Sequence, residues 1–102
     1  MKNEIAKTIL AQLGGNKFLA MTGAKNLVDG GNLLSFKIGR NSSKANSVVI
    51  KLKQDDTYTV QFYKIHGLDI QLLQQYKGAH CDQLQELFSN FTGMALSLGG
   101  AS

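Results

Sequence analysis

The stretch from Ser47 to His66 constrains the fold more than any other. Val48, Ile50 and Leu52 alternate with Val49, Lys51 and Lys53; after Gln54-Asp55-Asp56, Tyr58, Val60 and Phe62 alternate with Thr57, Thr59 and Gln61. A period of two, rich in β-branched and aromatic residues, specifies two strands with one buried face each. Parity then fixes the connection. For Leu52 to share a face with Tyr58 or Val60, paired positions must sum to an even number, which needs an odd-length loop. Gln54 to Asp56 supplies three residues, whereas a two-residue Asp-Asp turn would carry one strand's apolar set into water.

The rest of the chain is read outward from this hairpin. Asn3 can cap a helix from Glu4 to about Leu13, in which Ile5, Ile9, Leu10 and Leu13 form one apolar stripe. Gly14 falls where a left-handed residue ends a helix. Phe18 to Val28 is apolar on both parities at its start and reads as a strand buried on both faces, with a bulge near Gly23. Asp29-Gly30-Gly31-Asn32 is a turn that admits a two- or three-residue loop. Leu34, Phe36 and Ile38 alternate with Ser35 and Lys37 as a half-buried strand, and Gly39 to Asn46 is a polar loop.

Leu68 to Tyr76 carries two patterns. Leu68, Ile70 and Leu72 alternate as in a strand, while Leu72, Leu73 and Tyr76 would suit a helix; the strand is favoured, because a turn at Gly67 returns the chain beside its neighbour. Gly78 is expected to break that element. Asp82 and Gln85 resemble a capping box before a helix with Leu84, Leu87, Phe88 and Phe91 on one face, ending at Gly93. Residues 94–102 are small and Gly-rich and are expected to fray. The expectation is a single α+β domain over 1–102: helix, five antiparallel strands, helix, with both helices on one face of a two-layer fold.

Function is less legible. A chain of 102 residues buries enough surface to fold without staples, and the lone Cys81 excludes an internal disulfide framework and suits a reducing compartment. No run approaches the ~20 apolar residues of a membrane span, and Glu4, Lys7 and Gln12 interrupt the start as no secretory signal would. Net charge is +4, unevenly spread: Gly15 to His66 carries eight cations against three carboxylates, the two ends together three against four.

The open side of the expected sheet would show Ser35, Lys37, Lys51, Lys53, Thr57, Thr59, Gln61 and Tyr63. Lysines on adjacent strands, with hydroxyls and one aromatic ring, form a surface that can track a phosphate backbone. Lys and Thr are equally what solvated strands use for solubility and edge protection. Arg40 and Lys44 add two cations in a loop without the glycine spacing of a phosphate-binding motif. The nucleic-acid candidates are therefore Lys37, Arg40, Lys44, Lys51, Lys53 and Tyr63. His80-Cys81-Asp82 is the one cluster suggestive of catalysis; a structural Cys and a capping Asp explain it without chemistry. His66 is read as a surface residue. No catalytic residue, metal ligand or cofactor site is assigned.

The runs LGGNKFLAMTGAKNLV (Leu13 to Val28) and LSFKIGRNSSKAN (Leu34 to Asn46) resemble small proteins of bacteriophages, prophages and other mobile elements. DQLQELFSNFTG (Asp82 to Gly93) is similar to the C-terminal helix of that group. The resemblance implies a small accessory protein in the cytoplasm of a bacterial host, and it carries no site residues. Two expectations follow: a non-enzymatic protein binding nucleic acid through the basic sheet face, or a module that binds a host or phage protein or itself through a sheet edge.

Overall fold

The computed structural model describes residues 4–94. The hairpin of β3 (Ser47–Leu52) and β4 (Tyr58–His66) has the expected register, with Leu52 opposite Tyr58. Lys53 N–H donates to Thr57 O at 2.8 Å, so Gln54 to Asp56 is the loop. Asp56 takes φ 65°, and Asp55 Oδ1 accepts from the Thr57 hydroxyl (2.6 Å) and N–H (3.2 Å). These bonds close the turn without a glycine.

Around it lies a five-stranded antiparallel meander in the order β1-β2-β3-β4-β5, with β1 (Lys25–Asp29), β2 (Leu33–Lys37) and β5 (Asp69–Ala79). The turn after β1 resolves to two residues: Gly30 N–H donates to Leu33 O at 3.0 Å, leaving Gly31-Asn32 as the loop. Helices α1 (Glu4–Leu13), α2 (Asn16–Thr22) and α3 (Leu84–Thr92) complete the α+β fold. Gly14 ends α1 at φ 127°, and Gly15 N–H reaches back to Leu10 O at 2.9 Å, a Schellman-type closure.

The strand expected over Phe18 to Val28 is divided. Its first half is α2, because Phe18 and Thr22, one turn apart, are both fully buried while Lys17 and Ala20 face water. Seven residues are too few for helical periodicity to show through the apolar run Phe18-Leu19-Ala20-Met21. Gly23 is a helix stop (φ 68°), and the irregularity in β1 comes later, at Asn26 (φ 56°).

The two patterns in Leu68 to Tyr76 are both real. Ile70 pairs with Ile65 and Leu72 with Tyr63, whereas Gln74 pairs with Phe62 and Tyr76 with Val60, so a bulge at Leu73 reverses the phase. Before it, Ile70 and Leu72 face away from the core; after it, Tyr76 faces in. Gly78 does not end the strand. It sits in a second bulge (φ 71°), and β5 runs on to Ala79. The helix start is also displaced: Gln83 Oε1 accepts the His80 N–H at 2.8 Å, two residues before the expected Asp82/Gln85 pair, and Asp82 lies in an exposed 3-10 turn (Cys81–Gln83).

All three helices cover one face. Phe18 of α2 meets Phe36 edge-on (ring centres 5.4 Å apart) and Phe88 of α3 (5.1 Å), while Phe91 stacks near Phe62 (4.3 Å). Ala6, Ile9 and Leu13 of α1 join the same core with Leu34, Val48, Ile50 and Val60. Helices α2 and α3 end alike, at Phe18-x-x-x-Thr22-Gly23 and Phe88-x-x-x-Thr92-Gly93. Each Thr hydroxyl donates to the Phe carbonyl at 2.7 Å and accepts an N–H two residues on, from Ala24 or Met94, at 3.2 Å. The loop after β2 ties both ends together: Gly39 N–H donates to Thr22 O (3.0 Å) and Ser42 N–H to Thr92 O (3.2 Å). Met94 packs against the core; the remainder of the tail expected to fray lies outside the described residues.

Candidate nucleic-acid interface

Residues directly opposite one another in antiparallel strands share a face, so the pairing maps the uncovered side of the sheet. One row runs Lys25, Lys37, Ser47, Tyr63, Leu72 across all five strands. The next is Val28, Ser35, Val49, Gln61, Gln75, and the third is Leu33, Lys51, Thr59, with Lys77 in the bulge beyond. Lys53 and Thr57 end the face at the hairpin turn. Among the described residues no helix lies over this side.

Of the six sequence candidates, Lys37, Lys51, Lys53 and Tyr63 are brought to this one face. Arg40 and Lys44 are not: they are exposed on the loop that bonds to the ends of α2 and α3, on the helical layer. That loop is organised around Asn41, whose side-chain amide donates to Gly39 O (2.9 Å) and Ala45 O (2.7 Å). A structural job for the segment accounts for its polar composition.

Sequence reading missed two cations on the face, Lys25 and Lys77, both exposed. Lys25 was hidden by the misplaced boundary between α2 and β1. Lys77 was hidden by the phase reversal in β5. It now lines a depression of about 610 Å³ with Lys53, Asp55, Thr57 and Thr59. The strand carboxylates Asp29 and Asp69 pair with Leu34 and His66, positions on the helix-side parity. Among the described residues, the open face therefore carries four strand lysines, with Lys53 just beyond the end of β3, and no strand Asp or Glu; Asp55 stands at its rim.

Between the lysine rows lies a shallower depression of about 310 Å³, floored by Ser35, Val49, Lys51, Gln61, Tyr63 and neighbouring Ile65 and Ile70. Tyr63 is half-buried and held in place: its hydroxyl donates to Gln61 Oε1 (3.1 Å), and Gln61 Nε2 donates to Gln75 Oε1 (2.6 Å). Asn46 secures the projecting end of β4, its side chain exchanging two 2.8 Å bonds with the Ile65 backbone in the manner of one more strand residue. Chemically, the face offers ammonium groups, hydroxyls, amides, one ring and a patch of aliphatic carbon.

The remaining chemistry-bearing residues do not converge. His80 and Cys81 are exposed at the 3-10 turn, so burial does not give Cys81 the structural role expected of it. Among the described residues no group of three His, Cys, Asp or Glu is arranged to hold a metal ion, and no helix is long and apolar enough to cross a membrane. Compared with protein-family models, curated proteins and solved structures, the chain gives no match.

Proposed function

We propose that this chain is a non-enzymatic accessory protein that binds nucleic acid through the open face of its sheet. The observation that carries the reading is the sorting of charge. Five lysines drawn from β1, β2, β5 and the β3 hairpin share a surface from which strand carboxylates are absent. Lys37 and Lys51 lie in rows four residues apart along β2, roughly 13 Å at the usual strand rise. A polyanionic backbone can contact both while unpaired bases lie on Tyr63 and Val49. The resemblance of Leu13–Val28 and Leu34–Asn46 to proteins of phages and mobile elements supports an accessory role of this kind in a bacterial host cytoplasm.

The test is titration of a fluorescent oligonucleotide at several salt concentrations with the wild type and the Lys51→Glu/Lys53→Glu variant. The wild type is expected to bind at low salt and to weaken steeply as salt rises. The variant should bind at least about 30-fold more weakly, with a salt slope shallower by about 1.4 for single strands, the value for two lost phosphate contacts. Its thermal unfolding should match the wild type. No binding by the wild type at low salt, or an unchanged slope in the folded variant, overturns the reading.

A further inference from the structure

The two free edges of the sheet are built differently. The β1 edge is five residues long, kinked at Asn26 and bounded by Lys25 and Asp29, all features that discourage strand addition. The β5 edge is eleven residues long, and among the described residues nothing pairs with its outer side. From Ile70 to Tyr76 it contains no charged residue and no Pro, and Ile70 and Leu72 are 67% and 47% exposed. An unprotected edge of that length is a template for another strand.

We propose that its occupant is a second copy of this chain, β5 pairing antiparallel with β5 about a two-fold axis between Leu73 and Gln74. The bulge singles out this register. Ile70, Leu72, Gln75 and Lys77 face the open side, and Gln71, Leu73, Gln74 and Tyr76 face the helix side. Read outward from the midpoint of Leu73 and Gln74, that order is the same in both directions. Every residue from Ile70 to Lys77 then meets one on its own face, as an isologous contact requires. Leu72 lies opposite the partner's Gln75, and Gln71 opposite the partner's Tyr76.

The palindromic face order selects the antiparallel arrangement and the second copy together. Asp69 opens the strand on its helix side, and Lys77 lies near its far end on the open side. Antiparallel pairing lays Lys77 opposite the partner's Ile70 and leaves Asp69 on the other face, so like charges do not meet across the seam, where in-register parallel pairing would set like beside like. The blunted β1 edge stops the sheet at ten strands. Both open faces then lie on the same side, and Lys77 of each copy stands near the seam. The dimer does not depend on the nucleic-acid reading, and its test uses no nucleic acid.

The test is light-scattering mass of the full chain from about 1 to about 500 µM, a range that brackets micromolar association. Twice the chain's mass is expected at the upper end. Leu72→Lys, which sets a cation beside the partner's Lys77, should give the single mass with an unchanged circular dichroism spectrum. The proposal is overturned by a wild type that keeps the single mass throughout, whether its own residues 95–102 or nothing at all occupies the edge. It is equally overturned by a dimer that survives Leu72→Lys.

Discussion

On the helix side of β3 and β4, Val48, Ile50, Val60 and Phe62 are fully buried; one residue further along each strand, Val49, Lys51, Gln61 and Tyr63 keep part of their surface in water. The same backbone presents both sets, so the difference is entirely one of what covers it. Helices α2 and α3 bring Phe18 and Phe88 against Phe36 and Phe62 of the sheet, four buried rings in one cluster on the first side. On the second, lysines stand on a floor of hydroxyls, amides and aliphatic carbon. Volume governs what the covered face tolerates, and charge governs what the open face can meet.

The largest expected effect separates the two on stability. Phe88 touches Phe18, Phe36 and Phe62, so Phe88→Ala should cost about 3–5 kcal/mol in urea unfolding, because the ring's burial is lost and a cavity remains. Lys53→Ala, exposed on the open face, should stay within about 0.5 kcal/mol of the wild type. Comparable losses from the two variants would mean that the open face is load-sharing core.

The covered face was largely legible in the sequence because burial imposes a period. Even-numbered Val48 to Phe62, the three-residue loop and the C-terminal helix with its Gly93 stop all follow from alternation, parity and the i, i+3, i+4 rule. What escaped was anything that interrupts a period. Helix α2 is shorter than two full turns of evidence; the bulge at Leu73 superimposes two phases; the capping pair needed coordinates to be placed. The open face suffered in consequence, since a lysine there is assigned only as well as its strand's phase. The repeated Phe-x-x-x-Thr-Gly was the one signal that could have placed α2, because it occurs twice and its second copy ends an unmistakable helix.

Those twin helix ends give a middle-sized test within the covered layer. Gly23 and Gly93 hold φ 68° and 76°, where a side chain costs roughly 1–2 kcal/mol. A Cβ at Gly23 would find its nearest neighbour at 3.8 Å, but at Gly93 it would meet Ser42 Oγ at 3.1 Å. Gly93→Ala is therefore expected to destabilise more than Gly23→Ala in thermal unfolding, with oligonucleotide affinity of the folded protein unchanged in both. A loss of affinity from either would tie the open face to the helical layer and undo the division between them.

The smallest effect concerns Asp55, a carboxylate at the rim of the open face. Asp55 shares a depression with Lys53 and Lys77, and the Thr57 hydroxyl and N–H that donate to it hold its pKa below the ordinary 3.8. A depressed carboxyl stabilises the fold at pH values above its ordinary value and loses that contribution as pH falls through the lowered one. The stability difference between the wild type and Asp55→Asn should therefore be constant near neutrality and shift against the wild type as pH falls through the lowered value. At pH 7 the same substitution removes a negative charge from a face that is otherwise cationic, so oligonucleotide affinity should rise by about 2-fold at low salt and converge with the wild type as salt screens it. Weaker binding by Asp55→Asn would show that the turn's geometry, and not the charge sorted onto the strands, is what the open face uses.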